Sequence, residues 1–521
     1  MRIRFLAPLL VALSASAQLP TGVTLDPVAP SHPVGNFPTA AVLAPEGDRV
    51  VLLLCGWRQP GEGIQIVDRA TGKVEQTVGQ NAAFLGLAFA PDGKTLYASG
   101  GNDDDVHVYR WSDRRAAAEG TIALAPPKRD PKIPGTRYPA GLALSPDGKR
   151  LYVAENLGDA ITVIDTGTRH VVQQLATERY PYGVAVAANG DVYVSCWGDR
   201  TIDVFRPAKG LLKRRARIVV GRHPSAMAID GKRLFATCAT TDEIVIVDTT
   251  TNKVIKTLSD SAPSGPREGS TPNALAVAHG RLFVAEADNN AVAVFDAKTY
   301  ALLGRIPVEW YPSALVAAGN DVVVVNAKGR GSAPNPHRSQ PDQKFGYDSP
   351  DYTLGQLNGT VLSFPAAVEL APLSKRVAKA NGWHPRAGAA SYPPFKHVIY
   401  IIKENRTYDQ VLGDVKSGDG DPSLLFFGAD SAPNHHALAA RFGLFDRFFC
   451  NAEVSAQGHN WSTAAYTSDY TEKSVMPQYG RRGRTYDYEG GNRDTIIDDD
   501  DDVAAPSTGY LWDLAARKGI S

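Results

Sequence analysis

The sequence predicts a seven-bladed β-propeller followed by an α/β module. A unit of roughly 40–45 residues, the period of propeller blades, recurs across residues 36–365. Within each unit, Val, Leu and Ala alternate with polar residues at period two, as half-buried strands require. After residue 395 that pattern stops, and an apolar strand-like run leads into helical patterns, the order of an α/β sheet.

The repeat can be read directly. YPAGLALSPDGKRLYVAENLGDAITVIDT (138–166) is followed by YPYGVAVAANGDVYVSCWGDRTIDVF (180–205) and HPSAMAIDGKRLFATCATTDEIVIVDT (223–249). TPNALAVAHGRLFVAEADNNAVAVFDA (271–297) and YPSALVAAGNDVVVVNAKG (311–329) continue it. FLGLAFAPDGKTLYASGGNDDDVHVY (84–109) is an earlier copy, and a degenerate first copy begins at Phe37-Pro38. Pro139, Pro181, Pro224, Pro272 and Pro312 stand 42, 43, 48 and 40 residues apart. The Pro-Asp-Gly at 91–93 and 146–148 is turn chemistry: Pro presets φ, and Gly accepts positive φ. Seven copies are counted, the seventh taking 357–364 as its third strand after a Pro-rich insertion at 329–355 read as a surface loop. Leu151-Tyr152-Val153-Ala154 and Leu282-Phe283-Val284-Ala285 stand where secreted bacterial YVTN-type seven-bladed propellers carry their signature, and the repeats resemble that family. Its fold does not name an activity.

Composition narrows the function. The 521 residues hold 55 Lys plus Arg and 55 Asp plus Glu, so no overall field draws in nucleic acid or an anionic bilayer. Nucleic-acid binding is not expected. Arg2 and Arg4, an apolar run from Phe5 to Leu13, and Ala15-Ser16-Ala17 read as a signal peptide over 1–17. The mature protein is then periplasmic or secreted, with no transmembrane anchor. Cys55, Cys196, Cys238 and Cys450 show no metal or haem spacing. Buried free thiols are the expectation, with a Cys196–Cys238 pair as the alternative.

A Pro-, Gly- and Ala-containing linker spans 366–394, with a short helix expected near 372–380. Phe395 to Ile402 then forms a compact apolar run, read as a strand buried on both faces. Glu404 and Asn405 follow its end, where ligands bind in such sheets. A second strand is expected at 445–450, with helices from Asn434 to Phe442 and from Ser462 onward. Gly509 to Ser521 reads as a helix, a Gly C-cap and the start of another buried strand.

HVIYIIKENRTYDQVLGD (397–414) resembles the opening strand and loop of the bacterial phosphoesterase family of phospholipases C and acid phosphatases, within the alkaline-phosphatase-like superfamily. Ala432 to Ala439, Phe445 to Cys450 and Glu453 to Ser462 match it further. The resemblance implies a partial alkaline-phosphatase-like domain over 395–521, and a divalent metal ion held by Glu404 and Asn405. It also implies a Ser or Thr at a helix start that attacks phosphorus. Ser455 is the candidate nucleophile, with His459 and Asn460 near the phosphoryl group; the plain alternative for Ser455 is a helix N-cap. His435-His436 reads as helix packing, and the Asp498–Asp502 run as a solvated loop. The family domain continues past the equivalent of residue 521, so a truncated product lacking further ligands is expected. The implied function is an exported metal-dependent phosphoesterase acting on a phosphate-ester substrate. The alternative is a non-catalytic extracytoplasmic binding protein whose propeller takes a ligand of unidentified chemistry.

Overall fold

The computed structural model describes residues 18–57, 61–126, 136–264, 266–331, 352–383, 395–449, 451–479 and 504–520. The proposed signal segment, most of the 329–355 insertion, Cys450 and the Asp498–Asp502 run lie outside the described residues.

Seven antiparallel four-stranded sheets form the propeller. Blade one runs from Pro38 to Gly79, blade two from Leu87 to Ala123, and blade three from Pro139 to Ala176. Blades four to six span Pro181–Val219, Pro224–Ser259 and Pro272–Pro307. Blade seven is composite. Trp310–Ala318, Asp321–Gly329 and Asn358–Pro365 supply three strands, and His32–Asn36 from the N-terminal end supplies the fourth, with His32 opposite Val361. This closure leaves the ring without an open seam between the first and last blades. The repeat does not disclose it, because HPVGN (32–36) carries no copy of the repeat motif.

The strands read as near-continuous apolar runs because both faces of every blade are covered. Along Arg49–Cys55, Val50, Leu52 and Leu54 pack toward blade seven, while Val51, Leu53 and Cys55 pack toward blade two. Further round the ring, Leu282 and Val284 face blade five, whereas Phe283 and Ala285 face blade seven. The core therefore lies between blades, and period two sorts each strand between two cores.

A pre-proline position organises the channel end of the blades. Phe37, Tyr138, Tyr180, His223, Thr271 and Tyr311 precede the first proline of their blades and take φ between 48° and 61°. Left-handed backbone at a non-Gly residue costs about 1–3 kcal/mol. The compensation is burial: each of these side chains is buried where the blades converge. Hydroxyls just after the proline tie neighbouring blades. Thr39 Oγ1 donates to the Phe84 carbonyl at 2.6 Å, and Ser313 Oγ donates across the closure to the Pro38 carbonyl at 2.7 Å.

Helix α1 (Leu370–Ala380) lies within the expected linker and packs on the outer strand of blade six through Leu370, Leu373 and Val377. Gly304 permits the approach, since a Cβ there would sit 2.6 Å from Ser374 Oγ and 2.9 Å from Leu370 Cβ. Helices α2 (Tyr408–Leu412), α3 (Pro433–Phe442), α4 (Ser455–Ala464), α5 (Asp469–Gln478) and α6 (Leu511–Arg517) follow.

The expected strands at 395–402 and 445–450 are corrected: the described residues of both segments are irregular. Val398, Ile399, Phe445 and Phe448 are 78–86% exposed. A strand buried on both faces needs partners on its edges and layers above and below, and among the described residues these segments have neither. The α/β sheet is accordingly not seen there. The helix expected at 434–442 is α3.

Asp260 and Glu286 share the wholly buried space between blades five and six with Arg305, whose Nε donates to Glu286 Oε1 at 2.7 Å. Burial first, and then the charge of Glu286, push the Asp260 carboxyl well above the usual range. A carboxyl raised in the folded state holds its proton longer than in the unfolded chain. Stability therefore falls as pH rises from the ordinary carboxylate value to the folded one. Asp260→Asn is expected to melt higher than the native chain at pH 8 and equally near pH 4; parallel melting profiles across that range would contradict this account.

Candidate functional site

Helix α5 enters the propeller's central channel. Ser468 caps it, its side chain accepting from the Thr471 N–H, and Asp469 and Glu472 complement the helix dipole in the first turn. Asp469 is fully buried, and its carboxylate gathers donors from three sides. Asn273 Nδ2, Tyr311 Oη and Lys473 Nζ each lie 2.8 Å away, and Tyr182 Oη lies at 3.5 Å. Burial, with the Asp469 charge beside them, pushes the Tyr182 and Tyr311 phenols well up, so both remain donors.

Tyr470 sits among Phe84, Tyr180, Tyr182 and Trp197, with ring centroids 5.7–6.5 Å away. Its hydroxyl donates to Asn156 Oδ1 at 2.7 Å. Tyr180 is one of the strained pre-proline residues, so the repeat that strains the backbone also supplies part of the aromatic cup. Tyr466 reaches Thr240 Oγ1 at 3.1 Å, and Tyr479 stacks on Tyr352. Beyond the helix, a cavity of about 260 Å³ remains, lined by the innermost strands and by Lys473.

Helix α4 precedes this plug. Its N-cap is Val454, which makes no side-chain cap bond, and Ser455 is the first helical residue. Ser455 does not cap the helix; its side chain faces the Glu404 carboxylate and lowers that carboxyl's pKa, and His459 Nε2 lies 2.9 Å from Glu404 Oε2. Hydrogen bonds from Ser455, first, and His459 lower the Glu404 pKa. The carboxylate thus has the Ser455 side chain and the His459 imidazole beside it. The group opens to solvent, with the Glu404 and His459 side chains 40% and 35% exposed.

The structure thus brings Glu404, Ser455 and His459 together, although they lie up to 55 residues apart. Asn405 is exposed on the same loop, and its carbonyl accepts from Arg406 Nη1 at 2.6 Å. Asn460 is turned into the buried face of α4. His436 pairs with Asp414 at 2.6 Å, and His435 with Lys403 at 2.8 Å. Cys55, Cys196 and Cys238 are buried free thiols, so Cys196 and Cys238 do not pair. Sequence reasoning missed the plug. The cap and acidic first turn of SDYTEK are legible as a helix start, but no local signal says that this helix enters the chain's own channel.

A family model described as SMP-30/Gluconolactonase/LRE-like region matches residues 124–243, from the end of blade two into blade five. The seven-bladed beta-propeller protein Rv1057 of Mycobacterium tuberculosis (strain ATCC 25618 / H37Rv) is 29% identical over 165 residues. That match spans 29% of this chain and 41% of the relative. Among solved structures, Kuenenia stuttgartiensis hydrazine synthase is 18% identical with a TM-score of 0.48, covering 70% of this chain and 100% of that one. A catalytically inactive virginiamycin B lyase from Staphylococcus aureus with quinupristin is 13% identical with a TM-score of 0.46, covering 64% and 98%.

The chain is a seven-bladed β-propeller protein whose channel holds a helix of its own. A match to less than half of the chain takes the family description no further than the blades it covers.

Tyr470→Ala removes a fully buried ring and its hydrogen bond, a change that costs about 3–5 kcal/mol. Limited proteolysis is expected to cut residues 451–479 in this variant while the blades stay intact. Equal resistance of variant and native chain would contradict the anchoring role.

Proposed function

We propose that the chain is an exported metal-dependent phosphoesterase that uses Ser455 as nucleophile and the propeller as scaffold. The observation that carries this reading is the Glu404 carboxylate facing Ser455 and bonded to His459 at the start of α4. The resemblance at 397–414 supports it independently.

The chemistry follows from the residues. A carboxylate held below its ordinary pKa is ionised at neutral pH, and it orients the Ser455 hydroxyl by accepting its proton in a hydrogen bond. The first-turn N–H groups of α4 have no side-chain cap and point where phosphoryl oxygens would sit. A carboxylate and an amide oxygen suit a hard divalent cation, and Glu404 and the neighbouring Asn405 would hold it. Among the described residues, no group of three or more His, Cys, Asp or Glu stands close enough together to hold a metal ion, so further ligands would have to come from elsewhere. When bound, the cation would neutralise phosphoryl charge and acidify the hydroxyl. His459, bonded to Glu404, holds that carboxylate in place. No helix among the described residues is long and apolar enough to cross a membrane.

The cavity beside Lys473 favours a second reading, a binding protein whose propeller takes a small ligand without turnover. Hydrolysis of p-nitrophenyl phosphate and its diester, with Mn, Zn, Ca or Mg returned to metal-stripped protein, separates the two. The phosphoesterase reading expects metal-dependent turnover that Ser455→Ala reduces at least about 10³-fold, the scale of losing a nucleophile. Absence of metal-dependent turnover sinks that reading and leaves the binding role; turnover that survives Ser455→Ala removes only the nucleophile.

A further inference from the structure

We propose that Lys328 of blade seven is the positioning residue for Ser455, so that the propeller orients the nucleophile through one buried ammonium. This rests on the reading of Ser455 given above.

Lys328 lies in the strand Asp321–Gly329 and is 4% exposed. Its Nζ stands 3.1 Å from Glu453 Oε1 and 2.7 Å from Glu472 Oε2. It also lies 5.1 Å from the centre of the Trp310 ring and 5.3 Å from that of Tyr311. Burial by itself would lower the ammonium's pKa, but the two carboxylates outweigh it and hold the value raised. Lys328 stays charged.

The second half of the network reaches α4. Gln457 Oε1 accepts from the Glu453 backbone N–H at 3.2 Å, and Gln457 Nε2 donates to Glu472 Oε2 at 3.0 Å. Lys328, Glu453, Gln457 and Glu472 therefore form a closed ring of polar contacts, with every side chain at most 7% exposed. Ser455 lies between two members of that ring, two residues after Glu453 and two before Gln457. With both flanking residues fixed, the first turn of α4 cannot rotate about its axis. The Ser455 hydroxyl is thereby held against Glu404, which itself sits on an exposed loop. The propeller also grips α5 through Asp469 and Tyr470, but that grip is fourteen residues further on and leaves the start of α4 free to turn.

The full chain serves for the test. Lys328→Met leaves two buried carboxylates without a counter-charge and endangers folding. Glu453→Ala is the cleaner variant, because it keeps the charge-balanced Lys328–Glu472 pair while removing the ammonium's contact two residues before Ser455, leaving Gln457–Glu472 as the side-chain tie on α4. Lys328→Arg keeps a cation able to bridge both carboxylates. For Glu453→Ala, the account expects amide exchange in residues 458–464 to quicken at least tenfold while the blade strands stay protected. It also expects kcat on p-nitrophenyl phosphate to fall about tenfold or more with KM within twofold. Lys328→Arg is expected to keep slow exchange and most of the kcat. Unchanged exchange at 458–464 in Glu453→Ala overturns the proposal, whether or not the chain turns over substrate. Hydrolysis insensitive to Ser455→Ala overturns the phosphoesterase reading alone, and the exchange result still decides the role of Lys328.

Discussion

The carboxylate of Asp469 on the propeller axis is the constraint on which the rest of the structure depends. An ionised group taken out of water is costly unless its lone pairs are filled. Here Asn273, Tyr311 and Lys473 fill them at 2.8 Å each. Two of those donors belong to blades six and seven, and the third belongs to the same helix as the carboxylate. The ring of blades and the C-terminal segment are thus joined at a point where neither can withdraw without leaving unpaired polar groups in the interior. Tyr470 adds the apolar part of the same anchor, seated among aromatic rings from blades two and four.

This arrangement gives the propeller a definite task. Its channel, the usual place for a ligand in a radial fold, is filled from one side by α5. The segment just upstream carries Ser455 and meets the Glu404 loop. A rigid ring holding a short helical segment supplies what a site on irregular chain lacks, namely a fixed direction for one hydroxyl. The buried Lys328 network works on the same principle, with charge and hydrogen bonds complete in the interior and the reactive groups left facing solvent.

Much of the propeller was legible because its physics is local and repeated. Alternating apolar residues, Pro-Asp-Gly turns and recurrent prolines specify strands and their spacing without long-range information. The closing strand at 32–36 was not legible, since its place depends on meeting Asn358–Pro365, more than three hundred residues away. The run at 395–402 misled for a related reason. Apolarity marks a capacity for burial, and burial needs partners that the described residues do not provide. Ser455 at a helix start came from the resemblance over 453–462, since the strand expected before it is irregular and the helix begins at Ser455 and not at Ser462, and Glu404 came from the loop that follows the apolar run. That the two come to face each other was not legible, and neither was the entry of SDYTEK into the channel, because tertiary packing alone decides both.

The joint at Asp469 can be measured by a double-mutant cycle in chemical denaturation with Tyr311→Phe, Asp469→Asn and the pair. The account predicts that the two changes couple by at least about 1 kcal/mol, as contacting members of one buried network do. Effects that add to within about 0.5 kcal/mol, the behaviour of independent sites, would show that the helix is not held on the axis by this carboxylate.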